Sequence, residues 1–234
     1  MAADPAGRLT DDELLAIYDQ RYVDIYDPHA IPRIRRLLPL VELAPTDVIA
    51  DFGCGNGVLF ELIAGRVAHY FGVDFSEPFI LAAARRAEAK GLANGRFERA
   101  DLVDFCARNP HTFDAAFALD FSEHVYDDQF VQIFRAINGA LKPGGRLYIH
   151  TPNAEYFLER FHEWGVLRQV EGHVGVRTAR QHIELLERCG FERIDVHYLA
   201  HYLSFAAKFH FLGRLPVVGR LFRARLFIVA RAKG

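Results

Sequence analysis

The chain has 234 residues, 51% of them hydrophobic and 25% charged, with a formal net charge of −2. That length can bury a sizeable core in one large domain, and the near-neutral balance excludes a global field recruiting nucleic acid or an acidic membrane. No apolar run reaches the length of a membrane span, and Cys54, Cys106 and Cys189 show neither metal nor disulfide spacing; with no positive cluster ahead of an apolar core in Met1–Leu15, a cytoplasmic protein is expected.

Thr10 to Tyr26 is predicted as a helix, with Thr10 as N-cap and Glu13 three residues on; Tyr18 and Tyr22 lie one turn apart on it. A second short helix runs towards Pro39. From Asp47 onward, strand and helix patterns alternate. Strands are expected at 47–51, 68–73, 96–99, 113–119, 145–150, 191–199 and 224–230, and helices at 57–65, 77–90, 127–141, 153–163 and 178–189. Residues 1–40 read as a helical cap and 41–234 as a core with a substrate-side insertion at about 200–222, all within one domain. Such alternation implies an α/β, doubly wound, mostly parallel sheet, whose ligands sit at the carboxyl ends of the strands.

The first of those ends carries Asp51-Phe-Gly53-Cys-Gly55-Asn-Gly57. A phosphate loop needs Lys and then Ser or Thr after its last glycine, but Val58 and Leu59 follow Gly57. A dinucleotide loop wants a third glycine where Val58 stands. Asp51 would repel a pyrophosphate, which favours a ligand bearing a cation. A second strand ends in Asp74, about where nucleotide folds hold a ribose with a carboxylate, and a third acid, Asp101, could meet an adenine amino group.

In order and spacing, "VIADFGCGNG", "GVDFSE", "ERADLVDF", "AAFALDFSEHV" and "LKPGGRLYIHTPN" resemble the class I S-adenosylmethionine-dependent methyltransferases, from about Asp47 to the C-terminus. The resemblance implies a Rossmann-like seven-stranded sheet with an antiparallel last strand, "RARLFIVARA", and an N-terminal helical lid. It implies S-adenosylmethionine as cofactor, with Asp51, Gly53 and Gly55 near the methionine moiety, Asp74 on the ribose and Asp101 with Leu102 at the adenine. Cys54 (a small filler rather than a nucleophile), Phe75 and Leu119 complete that lining. Tyr18 and Tyr22 either pack the core or close over the cofactor, where an aromatic face attracts a sulfonium; the lid reading is favoured.

Methyl transfer from a sulfonium needs alignment and a nucleophile in the right protonation state. Asp120, Glu123 and His124 follow the fourth strand, His150 and Asn153 end the fifth, and a later loop carries His173 and Arg177. The D-x-x-E-H run with a downstream histidine looks like that of ubiquinone-pathway O-methyltransferases and small-RNA 2′-O-methyltransferases. There an E-x-x-E-H run ligates a divalent metal. Carried over, the ligands are Asp120, Glu123, His124 and His173, a donor set suited to Mg, Mn, Fe or Zn, although Asp120 replaces the subset's Glu. The alternatives are His124 or His150 as a plain general base, or catalysis by alignment alone. His69, His111, His182 and His197 read as surface or half-buried residues.

The stretch "YLSFAAKFHFLGRLPVVGRLF", with Lys208, Arg214 and Arg220, has three readings: an apolar acceptor wall, which is favoured, a peripheral membrane patch, or a dimer interface. The function expected is methylation of a small, partly apolar metabolite, at oxygen, in natural-product or quinone-type biosynthesis. The runners-up are RNA 2′-O-methylation, disfavoured by the absent basic patch on the catalytic half, and a non-catalytic cofactor-binding relative.

Overall fold

The structure, a computed structural model, describes residues 8, 30–165, 172–201, 208–216 and 218–233. Seven strands alternate with helices: β1 Val48–Phe52, α1 Val58–Ile63, β2 His69–Asp74, α2 Glu77–Ala89, β3 Gly95–Arg99, α3 Leu102–Arg108, β4 Phe113–Leu119, α4 Asp127–Ala140, β5 Leu141–Pro152, α5 Phe157–Glu163, α6 Ala179–Arg188, β6 Phe191–Leu199 and β7 Arg225–Ala232. Sheet order is β3-β2-β1-β4-β5-β7-β6. The pairs among the first five strands are parallel, while β7 runs antiparallel between β5 and β6. This is the expected doubly wound, Rossmann-like sheet.

Two apolar layers sandwich it. One face packs Phe105, Phe130, Phe134, Ile137 and Leu186 from α3, α4 and α6. The other packs Ile34, Leu37, Val58, Leu59 and Ile63 from α1 and the helical turns at 30–40. Strand residues feed both faces because successive side chains alternate: Leu147 and Ile149 join the first layer, Tyr148 the second.

Local departures from the expected elements have physical causes. α3 was not anticipated, being too short to show a periodic face; Asp101 caps it, its Oδ1 accepting from Val103 N at 2.8 Å and Asp104 N at 3.0 Å. The fifth helix starts at Phe157, not at 153, because Asn153 is still bridged to Arg177. β5 begins at Leu141, with a register shift against β4 absorbing the Pro-Gly-Gly stretch. The 10–26 helix, with Tyr18 and Tyr22, lies outside the described residues.

Phe134 has no exposed surface and stacks on Phe130 at 4.0 Å between centroids. Phe134→Ala is expected to lower stability by about 3–5 kcal/mol in urea denaturation. Leu81→Ala, at a half-exposed site (51%), should stay within about 0.5 kcal/mol.

Candidate active site

The glycine turn is held from below by β2. Gly53 N and Cys54 N both donate to the Val73 carbonyl, at 2.9 and 3.1 Å. Asp74 grips the turn from the side: its Oδ2 accepts from Gly55 N at 3.0 Å and its Oδ1 from Ser76 N at 2.9 Å. Gly53, Gly55 and Gly57 all have φ between 53° and 75°, the left-handed region in which a side chain is strained. The turn therefore leads straight into α1 with its backbone bare at the sheet edge.

Asp51 lies beneath this turn, 3% exposed, accepting a hydrogen bond from the Tyr70 hydroxyl. Burial pushes its carboxyl up to about 7 against the pull of Tyr70, and the charge of Asp74 adds to the rise. Burial likewise raises Asp74 to about 6, opposed by the N–H groups of Ser76, Gly55 and Phe75. Cys54 is buried and its thiol is pushed well above the usual range, first by desolvation and then by Asp74 and Asp51, so it stays protonated. Leu102 and Leu119 are buried near the strand ends, while Phe75 is 40% exposed and Asp101 is exposed at its cap.

Beyond β4 the chain reverses through Asp120, which has φ 52° and donates its N–H to the His150 carbonyl at 2.7 Å. Its carboxylate is surrounded by cations and an imidazole: Arg33 Nε at 3.0 Å, Arg225 Nη1 at 3.3 Å and His150 Nδ1 at 2.9 Å. Burial opposes ionisation there, yet His150, Arg33 and Arg225 hold the Asp120 carboxyl well below the ordinary range.

Glu123 points elsewhere. It is 1% exposed, accepts from Thr151 Oγ1 at 3.0 Å, and is pushed up to about 7 by burial and by Asp120. Among the described residues, Glu123, His124 and His173 have ligand atoms within 4.8 Å of one another. Asp120 is not in that group, its carboxylate being committed to Arg33, Arg225 and His150. The D-x-x-E-H spacing alone could not show this, because the strand end turns Asp120 and Glu123 to different neighbours.

His173 reaches His124 because its loop is stapled to the 122–125 turn. Gly175 N donates to the Glu123 carbonyl at 2.9 Å. The buried Arg177 guanidinium donates to the carbonyls of Ser122, Gly175 and Val125, each at 2.7 Å, and meets Asp127 at 2.7 Å. The His124 and His173 rings meet edge to face at 5.0 Å. Burial lowers both: His173 falls to about 3, helped by the neighbouring His124, and His124 falls despite the Gly172 carbonyl 3.0 Å from its Nδ1. Both imidazoles are neutral at pH 7. Among the other histidines, His69, His111 and His197 are exposed as expected, but His182 is fully buried, its Nε2 3.4 Å from Ser122 Oγ.

Sequence reading missed Tyr70, Thr151, Arg33 and Arg225. Tyr70 and Thr151 are hidden in apolar strands, and Arg33 in a basic run that looks solvated. Arg225 was findable: the first residue of an antiparallel last strand falls beside the carboxyl end of the strand it pairs with, here opposite Pro152 of β5.

Strand order, antiparallel β7 and acids gathered around a glycine turn define a class I S-adenosylmethionine-dependent methyltransferase fold. A family model described as a methyltransferase domain matches residues 23–196, and the chain belongs to that family, whose cofactor is S-adenosylmethionine. It is 31% identical over 132 residues to a ubiquinone biosynthesis O-methyltransferase of Neisseria meningitidis, covering 56% of this chain and 50% of the relative. Over 186 residues it is 29% identical to the protein of the same name from Xylella fastidiosa, covering 67% and 73%. The chain thus spans about half the length of the first of these relatives. In fold it is similar to a phosphoethanolamine N-methyltransferase of Haemonchus contortus, with TM-score 0.71 and 20% identity over 99% of this chain and 62% of that one. Among the described residues, no helix is long and apolar enough to cross a membrane.

Asp51 and Asp74 titrate near 3.8 when unfolded and near 7 and 6 when folded, so the native state holds more protons between those values. Stability contributed by protonated Asp51 is complete below about 4 and lost as pH rises through about 7. Without cofactor, the wild type should lose stability relative to Asp51→Asn across that window, read from urea denaturation at successive pH values.

Proposed function

We propose that the chain methylates a hydroxyl oxygen of a small, partly apolar metabolite, in natural-product or quinone-type biosynthesis, using S-adenosylmethionine. The observation that carries this reading is the convergence of buried Asp51 and Asp74 on a bare glycine turn. Asp74 would accept from the ribose hydroxyls, Asp51 would face the cationic methionine end, and Asp101 would lie at the adenine. The names of the ubiquinone O-methyltransferase relatives support oxygen as the acceptor atom.

The acceptor oxygen attacks the methyl carbon in line with the carbon–sulfur bond; the bond to sulfur breaks, leaving a neutral thioether and a methyl ether, and the hydroxyl proton leaves. His124 and His150 are the bases this geometry offers, with Nδ1 of His124 3.0 Å from the Gly172 carbonyl and Nδ1 of His150 2.9 Å from the Asp120 carboxylate. Asp120 is the positioning residue for His150.

A second reading gives Glu123, His124 and His173 to a divalent cation. Their donor atoms are close enough to share one ion, the imidazoles are neutral, and two nitrogens with a carboxylate suit Mn, Fe or Zn. A bound ion would supply Lewis acidity that eases ionisation of an acceptor hydroxyl.

Calorimetry should show S-adenosylmethionine and its demethylated product binding, with Kd falling as pH rises from about 6 to about 7, because the ligand favours ionised Asp74 and Asp51. Asp74→Ala should weaken binding roughly 10- to 150-fold, as expected for losing hydrogen bonds to a charged group worth about 1.5–3 kcal/mol. Unchanged affinity would remove the proposed pocket. In a metabolite extract, turnover should yield a product heavier by one methylene.

Excess EDTA separates the two readings of the acceptor side. Under the base reading, turnover survives chelation, and His124→Gln or His150→Gln lowers kcat by about 100-fold or more with cofactor affinity unchanged. Under the metal reading, chelation abolishes turnover, added Mn or Zn restores it, and Glu123→Gln weakens metal binding measured directly.

A further inference from the structure

Between β6 and β7, the described residues 208–216 and 218–224 expose several apolar side chains. Phe211 is 66% exposed, and Phe209, Leu215 and Val218 are exposed beside it. Lys208, Arg214 and Arg220 are exposed among them, and from Val196 to the end of the chain the sequence has no Asp or Glu. The patch continues onto α5: Phe222 meets Phe157, Phe157 meets Phe161, and Phe161 meets the exposed Trp164, each pair about 6 Å apart between ring centroids.

The described rings Phe209 and Phe211 face outward rather than inward as an acceptor wall would need, while 202–207 lie outside the described residues. A second copy docked on the 208–220 surface would set Lys208, Arg214 and Arg220 against their equals, with no acid between Val196 and the C-terminus to answer them. We propose that this face docks on an anionic bilayer, the rings and Leu215 entering the headgroup boundary and Lys208, Arg214 and Arg220 lying on lipid phosphates. The chain's net charge of −2 conceals this, because its acids all precede Val196.

Vesicles of phosphatidylcholine, with and without phosphatidylglycerol, test the proposal by co-sedimentation of the full chain. The protein should pellet with the anionic vesicles, remain in solution with the zwitterionic ones, and be released by salt. Arg214→Gln with Arg220→Gln should lower partitioning by about 25-fold, roughly fivefold per cation, and Phe211→Ser with Leu215→Ser should also release the protein. All four positions are exposed, so the variants should fold, which urea denaturation checks. No binding to anionic vesicles, or binding unaltered in both variants, would overturn the proposal. So would a dimer in light scattering that Phe211→Ser dissociates while vesicles capture nothing. Cofactor calorimetry on the same preparations keeps this outcome separate from the methyl-transfer reading.

Discussion

The Asp74 carboxylate, shared between the N–H groups of Gly55 and Ser76, is the contact on which the proposed cofactor site depends. It ties the glycine turn after β1 to the end of β2, so the two strand ends present one surface. Both oxygens take backbone donors, and an acceptor-only group retains lone pairs for a ligand. The same contact explains why a carboxylate buried this deeply is raised only to about 6: its N–H partners offset much of the desolvation. Asp51, with a single hydroxyl donor and Asp74 nearby, is raised further.

The proposed acceptor side is built differently. Its groups come from β4, β5, β7, the helical turn at 30–35 and the 172–177 loop, joined by ion pairs and the Arg177 clamp rather than by strand geometry. One guanidinium satisfies three carbonyls on two segments, so the 122–125 turn and the His173 loop form one body. Buried Arg177 is partnered at every side, as a buried charge must be.

That difference explains how much was legible in the sequence. The sheet and the acids proposed for the cofactor follow from strand-end position, which a one-dimensional pattern carries well: apolar run, acid, glycine turn, helix. The grouping of Glu123, His124 and His173 was implied, together with Asp120, by the resemblance to metal-binding methyltransferases. Which neighbour Asp120 takes was not, since that is decided by Arg33 and Arg225, 87 and 105 residues away. α3 escaped because its start is fixed by a single cap, and β5 was read short because Pro143 and the two glycines look like a turn although their stretch joins the strand after a register shift.

The antiparallel setting of β7 has an architectural consequence. Leu199 and Arg225 pair directly, so everything between β6 and β7 is a hairpin excursion that leaves and returns at one point on the carboxyl edge. Lengthening such an excursion adds only a slowly growing closure entropy and leaves the registers of both strands untouched. A fold wired this way can exchange one outer surface for another, and with it the place where the molecule does its work, without retuning the chemistry underneath.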